Sequence, residues 1–422
     1  MRLDQPIDVM GKFWLPEQSK EDGVIGHLTI EDGGDIRLKL FESFKNFDAS
    51  NFFNEDIKFN VVGIIKTNFD VTLQGCFITS CILNTSIGDD IVLSADLALL
   101  DHHTSHMAPF KINQMRFKLE GLETWLHGQD FNIKKNFEIE PQSVTWGKEQ
   151  NIYLGEFSGF KIELVLKANW AHDAKTVIVE KLPFLKITSI KPDNVSKFIS
   201  VAHNLNSFFS FACNNITTIN NVLVYFDENG YQKATQTYYK SNLSVEKMPN
   251  FKINNFLFSY DLVQGRLVSI LHNYFLLCRE IEAGLTLYHS TQIHKRFLLE
   301  SEFLAIAQAL ENVARYKRGG YKNTTQFKLE DELTNLLTPI EVIIGKWTNY
   351  VELIRNIVET RHYYTHNGID IKPNTQFGYD VYTLMLQTQS IFKLIVLYEL
   401  GFSLTEIEDI IANNYLLRQQ LK

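Results

Sequence analysis

The sequence predicts an α+β protein, with a β-rich N-terminal part, a sandwich or open barrel, followed by an all-α bundle. Two observations carry this. Strand-like alternation rich in Val, Ile, Phe and Thr fills the first half. Near residue 258 it gives way to long helical periods. A third observation is length, since 422 residues exceed one simple core and imply two or three domains. The expected division is 1–257 and 258–422, with 185–257 as a connector or part of the first domain.

The strands come in order. HLTIEDGGDIRLKLFE holds two alternating runs around Asp32-Gly33-Gly34, a hairpin signal. FNVVGIIK, FDVTLQGCFIT and DIVLSADLALL follow, then FKIELVLKA and KTVIVEKLPFLKITSI, so the β-rich domain should reach about residue 185. Residues 194–214 place Phe198, Val201, Leu205, Phe208 and Phe209 at helical spacing. NVLVYFD and YYK then suggest a hairpin around Glu228-Asn229-Gly230.

Beyond residue 258 the expected helices are SYDLVQGRLVSILHNYFLLCREIEAGL, KRFLLESEFLAIAQALENVARY, a short EDELTNLL, and IEVIIGKWTNYVELIRNIVETRHYYTH, entered after Pro339 and stopped by Asn367-Gly368. GYDVYTLMLQTQSIFKLIVLYEL and SLTEIEDIIANNYLLRQQ complete a bundle, the last opening on a Ser403/Glu406 capping box.

The formal net charge of -8 argues against coating nucleic acid non-specifically, which needs many phosphate contacts from Lys and Arg. A local basic site remains compatible with it. Cys76, Cys81, Cys213 and Cys278 form no CxxC pair, which speaks against a cysteine zinc site and fits free thiols in a reducing cytoplasm. The N-terminus lacks a signal-peptide core, and no run approaches the roughly 20 apolar residues of a membrane span. A cytoplasmic protein without membrane contact is expected. GxGxxG, GxxxxGK[ST] and GxSxG are all missing, so classical nucleotide hydrolysis and an elbow serine are unsupported.

Chemistry concentrates in RHYYTH. On the helix after Pro339, Ile343, Trp347, Tyr350, Ile354 and Val358 share a face, and the next members are Arg361 and Thr365. An unpaired buried guanidinium is costly, so the stripe should open there into a cleft or a subunit interface. Arg361 and His366 lie about 140° apart on an ideal helix. A site using both needs the fraying helix end or a second copy. His362 shares a flank with His366. An imidazole suits proton transfer near neutral pH, and an arginine can steady phosphoryl oxygens. Together they suit metal-free RNA cleavage in which the ribose 2′-hydroxyl attacks the adjacent phosphate.

RHYYTH resembles the R-x4-H signature of HEPN domains (higher eukaryotes and prokaryotes nucleotide-binding). The helix FLAIAQALENVAR, the opening GKFWLPE and the strand VIGHLTI further resemble ApeA-type anti-phage defence proteins, over nearly the whole chain. The resemblance implies a HEPN-like C-terminal bundle acting as an endoribonuclease without cofactor or metal. Arg361 and His366 would be its catalytic residues. The polar position after the arginine is often Asn or Asp in such proteins. Here it is His362, an orienting group or a second proton carrier. A homodimer or higher homo-oligomer, RNA and by analogy transfer RNA as target, a phage-derived trigger and abortive infection are further implications. The sensing role of the β-rich domain is also analogy. The alternative is a module that binds RNA, nucleotide or protein without cutting.

Other candidates have plainer readings. Lys295, Arg296, Arg315, Lys317, Arg318 and Lys322, with Tyr316 and Tyr321, resemble a single-strand RNA groove, or equally a solvated charged turn. His362, His366 and Glu359 could ligate zinc. Asp101, His102, His103 and His106 could form a metal cluster or a sensor site or, more simply, a polar loop. Glu311 interrupts an apolar helix face and is expected to pair with an arginine of the bundle.

Overall fold

The computed structural model describes residues 1, 3, 6–45, 58–65, 69–82, 90–101, 110–127, 134–135, 144–145, 150–172, 177–228, 231–241, 243, 249–293, 298–319, 328–366 and 371–422. Two compact units emerge. The first comprises 1–122, 131–206 and 217–246; the second comprises 123–130, 207–216 and 247–422. The strand-rich unit therefore extends well past residue 185, and two short excursions of its chain belong with the helices.

The first unit opens with β1 (Ile7–Trp14), β2 (Val24–Ile30), β3 (Ile36–Leu40), β4 (Phe59–Ile65), β5 (Phe69–Ile82) and β6 (Asp90–Ala95). These close on themselves in the order β1, β2, β3, β6, β5, β4, with β4 returning to β1. The barrel is closed where an open one was an alternative. The reason is β5, long enough to pair with β4 along one edge and with β6 over Phe77–Ile82. Period-2 burial fills the ring. Leu28 and Ile30 of β2 and Ile36, Leu38 and Leu40 of β3 face inward with Phe13, Val61, Leu73, Ile91 and Leu93. The expected Asp32-Gly33-Gly34 turn joins β2 to β3. Gly34 adopts φ +86, and a Cβ there would stand 2.0 Å from the Tyr239 carbonyl oxygen, so only glycine fits.

Outside the ring, β7 (Leu97–Leu100) also pairs with β5. From it the sheet continues through β17 (Tyr231–Tyr239), β16 (Ile219–Glu228), β8 (Lys111–Leu119), β15 (Phe184–Asn194) and β12 (Phe160–Leu166) to β11 (Gln150–Phe157). Two small hairpins stand apart, β9 (Lys134–Lys135) with β10 (Val144–Thr145) and β13 (Ala168–His172) with β14 (Val177–Lys181). The region 185–257 is thus no simple connector, because β16 and β17 are interior strands of the sheet. The β16–β17 hairpin forms as expected, its turn residues 229–230 lying outside the described residues.

Between β15 and β16 in the chain comes α2 (Val195–Ala212), whose residues from Ser207 on count in the second unit. That unit also takes most of the single turn α1 (Leu122–Trp125). Trp125 is fully buried there, its Nε1 donating to the Phe258 carbonyl at 2.9 Å and its ring edge-on to Phe209 and Tyr260.

The helices proper are α3 (Tyr260–Val263), α4 (Leu267–Glu280), α5 (Glu282–Ile293), α6 (Leu299–Lys317), α7 (Leu329–Leu337), α8 (Glu341–Ile344), α9 (Tyr350–Thr365), α10 (Tyr379–Glu399), α11 (Leu404–Asn413) and α12 (Tyr415–Gln420). α6 packs on α5, α7, α9 and α10, while α10 also meets α9, α11 and α12. Several expected single helices are broken. The first becomes α3, α4 and α5, interrupted at Gln264–Arg266 and Ile281. The last splits at Asn414, whose side chain caps α12 while its amide donates to the Asn255 and Phe256 carbonyls. The Ser403/Glu406 capping box is present as expected. α10 is long and apolar enough to cross a membrane, contrary to the expectation that no run approaches this, but 72% of its apolar window is buried inside the bundle. That burial marks a core helix. Cys76, Cys213 and Cys278 are buried free thiols and Cys81 is half-buried.

Candidate functional site

α9 starts later than its sequence period suggests. After Pro339 the chain makes a 3-10 turn, the short α8 and a further turn through Gly345 before Asn349 caps α9, its side chain accepting from the Glu352 N–H. That break resets the register. Ile343 and Ile344 are buried on α8, whereas α9 buries Leu353, Ile354, Ile357 and Thr360. Val358 is half-buried and Thr365 exposed, so the stripe expected through those two is displaced by one position.

Arg361 is half-buried. Its Nη2 donates to Glu311 Oε2 at 2.5 Å. Glu311 lies on the packed face of α6 with 8% of its side chain exposed, and its other oxygen accepts from Arg315. One buried carboxylate thus holds two guanidinium groups. The arginine partner expected for Glu311 is found, and it is Arg361 as well as Arg315. Within one chain, Arg361 thus meets this internal anion and keeps 27% of its side chain exposed. Among the described residues, Arg361 Nη1 and Nε carry no hydrogen bond.

His366 is exposed and forms the C-cap of α9 (φ -106, ψ 32), its backbone N–H donating to the His362 carbonyl at 3.0 Å. The imidazoles of His362 and His366 stand 4.6 Å apart, centre to centre. Asn367-Gly368, the expected stop, lies outside the described residues. The motif turn is also strapped from the side, by residues no sequence signal singled out for this role. The Asn374 N–H and side-chain amide donate to Glu359 at 2.7 and 3.1 Å, the Gln376 N–H donates to Thr360 Oγ1 at 2.9 Å, and Phe377 packs edge-on against Tyr363. Tyr364, next in the turn, has its hydroxyl pushed above the ordinary value by burial, with Glu300 and Tyr363 adding to it.

Glu359 is engaged by Asn374 through both oxygens, which removes the third ligand imagined for a His362/His366 metal site. Among the described residues no group of three His, Cys, Asp or Glu side chains gathers to hold a metal.

The basic cluster is drawn inward where it is described. Arg315 pairs with Glu311, Lys317 with Glu399 at 2.6 Å and Arg318 with Glu332, itself buried. Lys317 and Arg318 thus link the end of α6 to α10 and α7, while Arg315 pairs within α6 itself. Gly319 ends the helix at φ +97, as its place after the basic turn suggested. Lys295, Arg296, Tyr321 and Lys322 lie outside the described residues, as do His102, His103 and His106. Asp101, at the end of β7, sits in a turn and donates its N–H to Asp70.

Two family models match the chain. One, described as ApeA N-terminal domain 1, covers residues 8–274; the other, the Apea-like HEPN domain, covers residues 285–406 and so includes α6, α9 and the RHYYTH turn. Comparison with curated proteins and with solved structures finds no match. HEPN domains are in general ribonucleases. With the first model matching more than half its length and the second following in order, the chain belongs to the ApeA family of anti-phage defence proteins and carries a HEPN domain at its C-terminus.

Proposed function

We propose that the helical unit is a metal-independent endoribonuclease that cuts RNA through Arg361, His366 and His362. The observation that carries the reading is an arginine held by a buried carboxylate, five residues before an exposed histidine, within the HEPN-matched segment. An arginine anchored through Nη2 keeps its other N–H groups in a fixed fork, the geometry that grips a phosphate bidentately.

In the proposed reaction the ribose 2′-oxygen attacks the adjacent phosphorus as an imidazole takes its proton. The bond to the 5′-oxygen breaks, and that oxygen receives a proton from a second imidazole. The products are a 2′,3′-cyclic phosphate and a 5′-hydroxyl. Arg361 steadies the phosphoryl oxygens as charge builds. His366 and His362 are the proton carriers of one helix, and a second copy of the chain would complete a composite site. Transfer RNA as target, a phage-derived trigger and growth arrest of the host are the wider reading, by family analogy.

The test incubates purified protein with total RNA in EDTA. Fragments ending in 2′,3′-cyclic phosphate that disappear with Arg361→Ala and with His366→Ala are expected. The competing reading, a binder of RNA or nucleotide that does not cut, draws on the Glu311 pair, which gives Arg361 a structural task. Retained RNA binding with no cleavage under any activating condition would favour it.

A further inference from the structure

We propose that a cavity in the strand-rich unit, beneath the first turn of α2, binds a small molecule carrying a phosphate or carboxylate group. The cavity measures about 340 Å³, at the lower end of the range for small-molecule sites. Its wall comes from three places: Lys58 and Asn60 at the start of β4, Gln74 and Gly75 of β5 with Asp96 and Leu97, and Asn194, Val195, Ser196 and Ile199 at the start of α2.

The strand geometry explains why a hollow opens here. β5 pairs with β7 up to Gln74 and with β6 only from Phe77 on, and Asp96 is the break between those two partners. Gly75 turns through φ +67 at this junction, and a Cβ on it would stand 2.3 Å from Asp96 Oδ2. Glycine therefore lets the Asp96 carboxylate lie against the strand. The backbone is satisfied, with the Asp96 N–H donating to the Gln74 carbonyl and the Gly75 N–H to Asn60 Oδ1.

One group is not satisfied. Gln74 is 9% exposed, lines the cavity, and among the described residues its side-chain Nε2 has no hydrogen-bond partner. A buried amide donor left unpaired destabilises a fold, and it calls for an acceptor on an occupant of the cavity. The second feature is electrostatic. The helix above the hollow is long, and its first turn carries partial positive charge that favours an anionic group. Asn194 caps it by accepting from the Ser196 N–H, and the exposed Ser196 places its side chain at the mouth.

Asp96 is the one carboxylate on the wall, and Lys58 Nζ neutralises it at 2.6 Å. It remains an acceptor for a hydroxyl or amine of the ligand. The occupant then has three parts: an oxyanion at the α2 terminus, an acceptor oxygen against Gln74, and a donor toward Asp96. A hydroxylated phosphate or carboxylate, of nucleoside monophosphate size or smaller, has this chemistry.

The experiment uses the full chain and measures binding by calorimetry, with unfolding temperature as a second readout. The probes are adenosine and guanosine monophosphates, inorganic phosphate and citrate. Gln74→Leu removes the unpaired donor at similar volume. Ser196→Glu places a carboxylate at the mouth, where a helix start favours it, so the fold should hold. At least one probe is expected to bind wild type and to raise its unfolding temperature. Each variant, unfolding at or above the ligand-free wild-type temperature, is expected to lose affinity by about tenfold or more. Binding by the phosphates alone or by citrate alone identifies which oxyanion is read. No binding by any probe, or equal binding by wild type and both variants, overturns the proposal.

Discussion

Replacing Glu311 by glutamine tests whether the buried carboxylate organises the motif. The change keeps volume and one acceptor oxygen but removes the charge that Arg361 and Arg315 share. Breaking a fully buried pair costs about 3–5 kcal/mol, whereas exposed pairs are worth about 0.2–1 kcal/mol. Glu311 is buried, but the arginine side chains retain 27% and 34% exposure, so solvent screens part of the loss. A cost of about 2 kcal/mol follows, lowering the unfolding temperature of a unit this size by roughly 4–8 °C. Stability is read by urea titration, and cleavage is measured well below the variant's melting range. If Glu311 positions Arg361, cleavage should fall at least about tenfold with kcat affected more than KM, because a misaligned guanidinium weakens transition-state contacts most. Arg315→Met should weaken the clamp on one side and retain cleavage. Wild-type stability together with wild-type cleavage in Glu311→Gln would refute the reasoning.

Other consequences are equally direct. Lys393 is 2% exposed on α10, burial pulls its ammonium down to about 8, and its nearest acceptor is Gln420 Oε1 at 3.4 Å; Lys393→Met should stabilise the helical unit by about 1–3 kcal/mol at pH 7, and a lower urea midpoint would contradict this. His289 is buried against Ser207 and pushed down to about 4 by burial, as is His203 in the strand-rich unit, where the charged N-terminus adds to it. The unfolded chain binds the protons these sites refuse. Their stability is therefore complete above about pH 6.5 and is lost as pH falls toward 4, at up to about 1.4 kcal/mol per pH unit for each. Urea midpoints independent of pH across that window would show the sites to be solvated. Ser403→Ala removes the capping-box acceptor of α11 and should cost about 1 kcal/mol by thermal unfolding, with no change in cleavage.

Much of this was legible in the sequence where one local rule dominated. The Asp32-Gly33-Gly34 hairpin, the α6 helix ending at Gly319, and the capping box of α11 each follow from chemistry within a few residues. Ring closure was not legible, because it depends on β4 returning to β1 and on β6 pairing with β3, partners distant in sequence. Helix breaks were missed for a related reason. Ile281, Gly345 and Asn414 interrupt apolar periods that continue on both sides, and only packing shows that the axis has changed. At the motif, the sequence exposed the cost of a guanidinium at the end of an apolar stripe and the oddity of Glu311 on an apolar face. It pointed Glu311 toward an arginine of the bundle without singling out Arg361. The strap of Asn374 and Gln376 over Glu359 and Thr360 was invisible, since such side-chain to backbone bonds leave no periodic trace.

The placement of Trp125 bears on how the molecule can be divided. Its indole is roofed by Phe209, Phe258 and Tyr260, residues far downstream of it, all in the helical unit. A severed C-terminal fragment beginning near residue 247 would lack this aromatic plug. The complementary N-terminal fragment would carry it bare, a sticky surface inviting aggregation. Recombination that swaps one half for another at a single junction near residue 247 would meet the same obstacle.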